Sequence, residues 1–255
     1  MNATSCMMLD AHRIEEIGRG LSILDDIFLE GIVMIKQEDL EGIFFSIGRE
    51  HGFEDIKVRF SPFDKLKLRW IRCSKTIEME VSDYLIEAPK DVMEGIADAL
   101  FEKMAGNDCD YPQCVVDWLS SKTFRDNNQQ VFIDRDRVLN RFSENDPILM
   151  GSYGRLRSEG YIDEIEDLKL FWSHGVMENK GESSHLMRVA TINSYLVGAP
   201  EYVLDFCLLS LLANMTIGFE IFGEKRGDSI CDFIQRYPRM DDALKWLDEE
   251  GIRFE

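Results

Sequence analysis

APEYVLDFCLLSLLANMTIGFEIFG, residues 199–223, is the most apolar run in the chain. It opens on Ala-Pro, and a proline is accommodated in the first turn of a helix, where its missing N–H is not needed. Cys207, Ser210 and Asn214 follow at positions i, i+3 and i+7, a spacing that places them on one face of a helix. The sequence therefore predicts a core helix that carries one thin polar stripe.

Composition and charge describe a globular chain of 255 residues with 45% hydrophobic residues. The formal net charge of −19 argues against a nucleic-acid-binding surface and against an anionic-membrane surface, because both partners would be repelled. The chain has no run of 18 apolar residues, which is the length that a membrane-spanning helix needs. Its first residues also lack the basic segment followed by an apolar segment that is typical of a signal peptide. A cytoplasmic protein is therefore expected. The six scattered cysteines fit unpaired thiols in a reducing compartment.

Hydrophobic periodicity in the first half changes between helix-like and strand-like. Residues 11–51 repeat apolar residues at helical spacing, which predicts an N-terminal helical region. DIKVRFSPF, KLKLRWIRCS and KTIEMEVSDYL then alternate apolar and charged residues, which predicts a three-stranded antiparallel meander. EAPKDVMEGIADALFEKMAG predicts a helix between Pro89 and Gly106, and DYPQCVVDWLSSK predicts a shorter one.

The second half is harder to interpret until residue 168. DRDRVLNRF is expected to be helical, and GSYGRLRSEG is expected to form a turn or loop. LKLFWSHGV and SHLMRVATINSYL predict strands that lead into the helix at 199. Two short helices, parted by Pro238, are expected to follow it.

One sequence pattern is repeated in the two halves of the chain. YLIEAPKDVMEGIADALFEKM (84–104) and YLVGAPEYVLDFCLLSLLANM (195–215) share Tyr-Leu-x-x-Ala-Pro-x-x-Val. The shared residues describe a strand end, a turn and a proline that fixes φ at the start of a packed helix. Duplication of a segment would explain the repeated pattern, but we favour independent recurrence of the same local strand-to-helix connection.

Residues around this second junction resemble the SprT-like zinc metallopeptidases, including their archaeal relatives. RVATINSYL is similar to a strand of that family, and the proline-started helix is similar to the helix that bears the family's His-Glu-x-x-His. LFWS and RYPRMDDALKWLDEEG are similar to its edge strand and its ending, and the resemblance covers about 82–105 and 168–250. The residues that match around the junction are Arg188, Ile192, Asn193, Leu196, Pro200, Val203, Asp205 and Phe206.

The resemblance places the His-Glu-x-x-His motif on Ser210, Leu211, Leu212, Ala213 and Asn214. That chemistry needs two imidazoles on one helix face to bind Zn²⁺ and a carboxylate to deprotonate the bound water. Serine and asparagine are poor zinc ligands, and leucine cannot act as a base. The family's third ligand corresponds to Arg226, or to Ser229 if a short gap is allowed, and neither is a histidine. The sequence therefore predicts no zinc, no cofactor and no peptidase activity.

Other arrangements that could support chemistry are sparse. His174 and His185 flank a loop, at a spacing that fits no metal-binding template. Cys109 and Cys114 have no second pair to complete a Cys₄ zinc site. Cys207 would be a nucleophile only beside a base, and its own helix offers none, so it is expected to be a small buried residue.

The predicted fold class is α+β, with a zincin-like (SprT-like) core, an antiparallel or mixed sheet and an added N-terminal helical region. The expected domains are 1–109, with the helices and the meander, and 110–255, with the peptidase-like core.

The expected function is a catalytically inactive, metallopeptidase-like module for binding, scaffolding or assembly, whose partner is another protein or peptide. LKLFWSHGV would be an edge strand that accepts this partner by strand addition, and Trp172, His174, Cys207, Ser210 and Asn214 are the candidate binding residues. The alternative to a binding groove is that the former active-site cleft is closed, with Ser210 and Asn214 as small, hydrogen-bonded residues that line it. The alternatives are a hydrolase with a relocated, non-zinc active site and a small-ligand sensor.

Overall fold

The computed structural model describes residues 3–8, 34–107, 109–135, 141–174, 177–217 and 224–254. The chain divides into two compact units, Met1–Trp118 and Leu119–Glu255. The sequence analysis placed the boundary nine residues earlier, between 109 and 110. Helices and strands occur in both units, so the α+β class is confirmed.

The described residues of unit 1 include four strands and two helices. All except the first strand, which was not predicted, follow the predicted order. The strands are β1 (Ala3–Met8), β2 (Asp55–Ser61), β3 (Lys67–Cys73) and β4 (Thr76–Ser82). The helices are α1 (Gln37–Glu50) and α2 (Lys90–Met104), and α3 (Gln113–Ser120) crosses the unit boundary. The predicted helix over 11–51 is confirmed for 37–50, whereas residues 9–33 lie outside the described residues.

The sheet of unit 1 is not the predicted meander. Its strand order is β1-β3-β4-β2, with β2 parallel to β4 and β3 antiparallel to it. Val58 on β2 therefore lies opposite Met79 on β4, and both side chains are buried. The prediction was wrong because alternating hydrophobicity determines the faces of a strand but does not identify the neighbouring strand.

Unit 2 begins with α4 (Lys122–Arg135) and β5 (Arg141–Phe142), and α5 (Pro147–Ser158) follows. The predicted loop GSYGRLRSEG is wrong, because most of it lies in α5. Asp146 accepts a hydrogen bond from the Ile148 amide (2.9 Å), and Pro147 starts the helix, so a strong N-terminal cap precedes the glycines. Residues 141 and 142, expected to be helical, form β5 instead.

The remaining elements of unit 2 follow the predicted order, with one exception. They are β6 (Lys169–Ser173), β7 (Gly181–Ser184), β8 (Val189–Ile192), α6 (Glu201–Ile217), α7 (Glu224–Gln235) and α8 (Met240–Glu249). The exception is β7, which lies in the segment between His174 and His185 that was predicted to be a loop. Residues 203–213 of α6 are all buried, so the predicted core helix is confirmed. In the part of the chain that the structure describes, no helix has the length and apolarity to cross a membrane.

The sheet of unit 2 has the order β5-β6-β8-β7, with β6 parallel to β8 and β7 antiparallel to it. LKLFWSHGV is therefore not an edge strand, and that prediction was wrong. Phe142 of β5 pairs with Trp172, and the Asn145 amide donates to the Leu170 carbonyl (2.7 Å), so both hydrogen-bonding sides of β6 are engaged within the chain. The two residues of β5 are too few to show a strand pattern in the sequence.

The repeated pattern extends over residues 37–104 of unit 1 and residues 147–217 of unit 2. Each contains a helix, three strands, a single 3₁₀ turn and a second helix, in that order. In each, the third strand lies between the other two, parallel to the first and antiparallel to the second. Shared topology over about 70 residues favours duplication of one αβββα module over the local recurrence preferred from sequence.

Candidate functional site

The junction before α6 is tightly anchored. Asn193 is fully buried, and its side-chain oxygen accepts a hydrogen bond from the Tyr195 amide (3.1 Å). Its amide group donates to the carbonyls of Met177 (3.0 Å) and Asn179 (2.7 Å). One asparagine therefore joins the strand end to the segment that precedes β7, and fixes where α6 begins.

Ser210 is part of the packed interior of α6. The residue is 7% exposed, and its hydroxyl donates to the carbonyl of Cys207 (2.7 Å), one turn earlier on the same helix. A serine that bonds its own helix in this way satisfies its polar group without a ligand. The first of the two predicted former zinc-ligand positions is therefore closed.

Leu211, at the position of the family's catalytic acid, packs beneath β7. It is 5% exposed, and a Cβ built on Gly181 would lie 3.0 Å from its Cδ1 atom. Asn214 is half-buried near the end of α6, and Arg226 falls in α7, where only the backbone is described. Ser210 and Leu211 are therefore covered by the chain itself and do not line an open cleft.

Cys207 is fully buried among apolar side chains. Burial raises the pKa of its thiol to about 12, against an ordinary value of 9.0, and the charge of Lys180 offsets this only partly. Since the thiolate is the nucleophilic form, a thiol with this pKa is unreactive at neutral pH. The structure thus gives Cys207 a packing role.

We expect an alkylating reagent at pH 8 to label the exposed Cys73 and Cys231 but to leave Cys207 unmodified until the protein unfolds. Peptide mapping by mass spectrometry, with and without denaturing urea, measures this difference. In the unfolded chain the thiol has its ordinary pKa of 9.0, so the contribution of Cys207 to stability is complete below that pH and declines as the pH rises toward 12. Labelling of Cys207 at the rate of Cys73 would contradict its burial.

The other predicted binding residues are divided between core and surface. Trp172 is 2% exposed and belongs to the hydrophobic core, so it cannot act as an exposed docking residue. His174, directly after β6, is exposed and packs its ring against Phe142, with centroids 4.6 Å apart. His185 is half-buried in the turn after β7.

The two cysteines of CDYPQC contact α2 at separate places. Cys109 donates to the Ala99 carbonyl (3.4 Å) and Cys114 to the Asp91 carbonyl (3.9 Å), about two helical turns apart. This arrangement is typical of incidental thiols.

Sequence reasoning missed a buried ionic cluster between α5 and α6. Asp205, which is 7% exposed, accepts hydrogen bonds from Nε (2.9 Å) and Nη2 (2.7 Å) of Arg155 and from the hydroxyl of Ser152 (2.5 Å). The hydrogen bond to Asp205 raises the pKa of Arg155 above its ordinary value. Fifty residues separate Asp205 from Arg155, so no local pattern could have paired them.

A second missed group is the cluster His51, Asp98 and Glu102 in unit 1. Nε2 of His51 lies 3.4 Å from Asp98, Nδ1 lies 3.8 Å from Glu102, and the ring stacks on Phe101 with centroids 5.8 Å apart. One potential ligand atom from each of the three residues lies within 4.8 Å of the others, so they could hold a metal ion. The i, i+4 spacing of the two acids on α2 is the only signal in the sequence. The carboxylates are also well placed to pair directly with a protonated imidazole.

No family model, no curated protein and no solved structure matches this chain. The resemblance to SprT-like peptidases thus stays a prediction.

Proposed function

We propose that this chain is a non-catalytic module that binds another protein or peptide. The observation that carries the non-catalytic part is the burial of Ser210 and Leu211, whose side chains contact the chain itself. This part of the proposal uses the motif positions that the resemblance assigns to Ser210 and Leu211.

Hydrolysis would require a nucleophile or a metal, together with a base. α6 supplies a thiol whose pKa is about 12 and a hydroxyl that is bonded to its own helix. The acid in its middle, Asp205, is held by Arg155 and Ser152 and joins two helices. A relocated hydrolase site therefore gains no support from the groups nearest to the predicted motif.

The binding part of the proposal rests on the strand-to-helix junction of unit 2. Tyr195 is 65% exposed and Val197 is 52% exposed, whereas Leu196 between them is 1% exposed. Tyr84, at the matching position in unit 1, is 1% exposed and donates a hydrogen bond to the Asp64 carbonyl (3.2 Å). The same motif thus buries its tyrosine in one unit and presents it in the other.

An exposed tyrosine on a fixed backbone is well suited to recognition. Tyrosine provides a large contact area at low conformational entropy cost, and it is enriched at protein interfaces. Asn193 and Leu196 anchor the backbone on which Tyr195 and Val197 stand, so little ordering would be needed on binding. The net charge of −19 favours a partner with a basic surface around its apolar contact.

Affinity capture from the source cells, comparing the natural chain with Tyr195→Ala plus Val197→Ala, tests the binding part. We expect a specific partner to be lost in this double variant, since truncation of a central aromatic contact often costs about 2 kcal/mol or more. Ile71→Ala, which removes a 45% exposed side chain in unit 1, is the matched control and should leave capture intact. A partner retained equally by all three proteins would place the interface elsewhere.

Elemental analysis tests the non-catalytic part separately. Stoichiometric zinc that persists in a His51→Ala variant, together with peptide hydrolysis, would overturn the proposal. Zinc that disappears in His51→Ala would instead identify the cluster with Asp98 and Glu102, which is distant in sequence from α6.

A further inference from the structure

Unit 2 has a cavity of about 280 Å³, open to solvent, at the end of α6 that is far from the Ala-Pro start. Its walls come from α4, the segment after α5, the turn between β7 and β8, and the end of α6. The residues that matter to its chemistry are Arg125, Arg188, Asp163, Glu164, Glu166 and Met215. The cavity does not include Ser210 or Leu211, so it is separate from the predicted former peptidase site.

Arg125 contributes a buried guanidinium that is incompletely bonded. The residue is 7% exposed, and its Nη1 donates to the Ser120 carbonyl at the end of α3 (2.7 Å). Its Nε is buried and has no hydrogen-bond partner among the described residues, and the nearest carboxylate, Asp167, is 3.9 Å away. A buried donor without an acceptor is costly, so this nitrogen is suited to an acceptor that enters from outside.

Arg188 brings a second guanidinium to the same cavity. It is half-buried, and its Nη1 donates to the Met215 carbonyl in the last turn of α6 (3.0 Å). Burial and the positive charge of Arg125 lower its pKa below the ordinary value, and the negative charges of Glu166 and Asp167 offset this only partly. Two cations that disfavour each other in this way would both be stabilised by an anion between them.

The backbone at Arg188 is held in an unfavourable conformation. Its φ is +52°, in the left-handed region that residues with a long side chain rarely adopt. Such strain persists only where surrounding contacts enforce it, and it is concentrated at functional sites. Here the Arg188 carbonyl also accepts a hydrogen bond from the Lys169 amide (2.9 Å), which fixes the turn to β6.

Gln129, one turn after Arg125 on α4, holds two walls of the cavity together. Its side-chain amide donates to the carbonyls of Asp167 and Met187, both at 2.7 Å. The segment after α5 and the turn that carries Arg188 are therefore tied to α4 by the chain itself. The two guanidiniums are accordingly positioned before any ligand arrives.

The acidic residues of the cavity lie nearer to solvent than the arginines do. Glu164 is paired with Arg157 (2.8 Å), whereas Asp163 and Glu166 are exposed, and the charge of Glu166 also acts on Arg188. The cavity thus has buried positive charge and exposed negative charge. An anion without a cationic group would be attracted by the arginines but repelled by the exposed carboxylates.

We propose that this cavity binds a small zwitterion, with its carboxylate between Arg125 and Arg188 and its ammonium group at Asp163 and Glu166. The volume is slightly below the range of about 300–1,000 Å³ that is typical of sites for drug-sized ligands, so a molecule of the size of a free amino acid fits best. This site goes beyond the proposed protein-binding function and does not depend on it.

Ligand-observed NMR and isothermal titration of the full chain test the site. L-Alanine is the zwitterionic probe, succinate and inorganic phosphate are the anions without an ammonium group, and propylamine is the cation alone. We expect alanine to bind and the other three to bind at least severalfold more weakly. Arg188→Gln should weaken alanine binding about tenfold or more, because it removes a charge-assisted hydrogen bond.

Glu166→Gln provides a second variant at an exposed position, where folding is not at risk, and it should weaken alanine binding severalfold. Arg239→Gln, which removes a surface arginine of the same unit paired with Asp242, is the control and should bind alanine unchanged. Circular dichroism confirms that each variant is folded. The proposal is overturned if the folded natural chain does not bind alanine, if phosphate or succinate binds more tightly, or if Arg188→Gln and Glu166→Gln leave alanine binding unchanged.

Discussion

Gly181→Ala is expected to destabilise unit 2 by about 4 kcal/mol, because it combines backbone strain with a steric clash. Gly181 has φ +146°, a conformation that residues with a Cβ rarely adopt. The added methyl group would overlap the carbonyl oxygen of Thr191 on the neighbouring strand, and it would lie 3.1 Å from the Ile192 Cα and 3.0 Å from Leu211. Because two of these three contacts are backbone atoms of the central strand, rotation of a side chain cannot relieve the clash.

Gly198→Ala separates the two causes. Gly198 also has a positive φ (+86°), but a methyl group added there would meet no atom within 4 Å, so only the backbone strain should appear, at about 1 kcal/mol. Hydrogen exchange of the β8 and α6 amides reports unit 2 directly, and urea denaturation gives the free energy of unfolding. Equal effects of the two substitutions would show that β7 does not cover α6 as closely as the structure indicates.

Asp205→Ala is expected to cost about 3 kcal/mol, since removal of one partner from a buried ion pair leaves the other partner uncompensated. It would deprive Arg155 of two hydrogen bonds and Ser152 of one. Arg155 has a side chain that is 34% exposed, so water can replace part of what it loses. The expected cost therefore lies at the lower end for a buried pair. Thermal and urea denaturation measure it.

Glu201→Ala is the matched control, because Glu201 also pairs with Arg155, through Nη1 at 3.4 Å. Its side chain is 80% exposed, so its removal should change the free energy of unfolding by less than about 0.5 kcal/mol. Arg155→Ala combined with Asp205→Ala should cost less than the sum of the two single substitutions. Strict additivity, or a cost for Asp205→Ala no larger than for Glu201→Ala, would refute a cooperative buried cluster.

The two helices that follow an Ala-Pro pair were predicted well from the sequence. Periodicity and the Ala-Pro start located α2 and α6, whose boundaries follow Pro89 and Pro200. The turn prediction for GSYGRLRSEG was wrong because it gave more weight to the glycines than to the helix N-terminal cap that precedes them. Asp146 and Pro147 stand just upstream of that stretch, and Leu149, Tyr153 and Leu156 within α5 are all buried. Burial of that apolar face offsets the intrinsic cost of the glycines, which is about 1 kcal/mol each.

Strand neighbours could not be predicted, because alternation is a property of one strand whereas pairing is a property of two. β2 is parallel to β4 and not adjacent to β3, although β3 follows it in the chain. For the same reason Trp172, predicted at an edge, became a core residue once β5 paired beside it. The exposure of Tyr195 could not be predicted from local sequence either. Its counterpart Tyr84 lies in the same local motif, yet Tyr84 is buried and Tyr195 is exposed.

The prediction of α6 as a core helix, and the lack of a His-Glu-x-x-His motif along it, follow from the amino-acid sequence alone. These conclusions depend on residue identity and spacing along one element, which the chain specifies locally. The three-dimensional structure alone reveals that Gly181 covers Leu211 and that Asp205 meets Arg155. It also decided that Arg125 and Arg188 share a cavity. Each of these contacts joins segments whose separation in space follows from the packing of whole elements, and no local pattern encodes that packing.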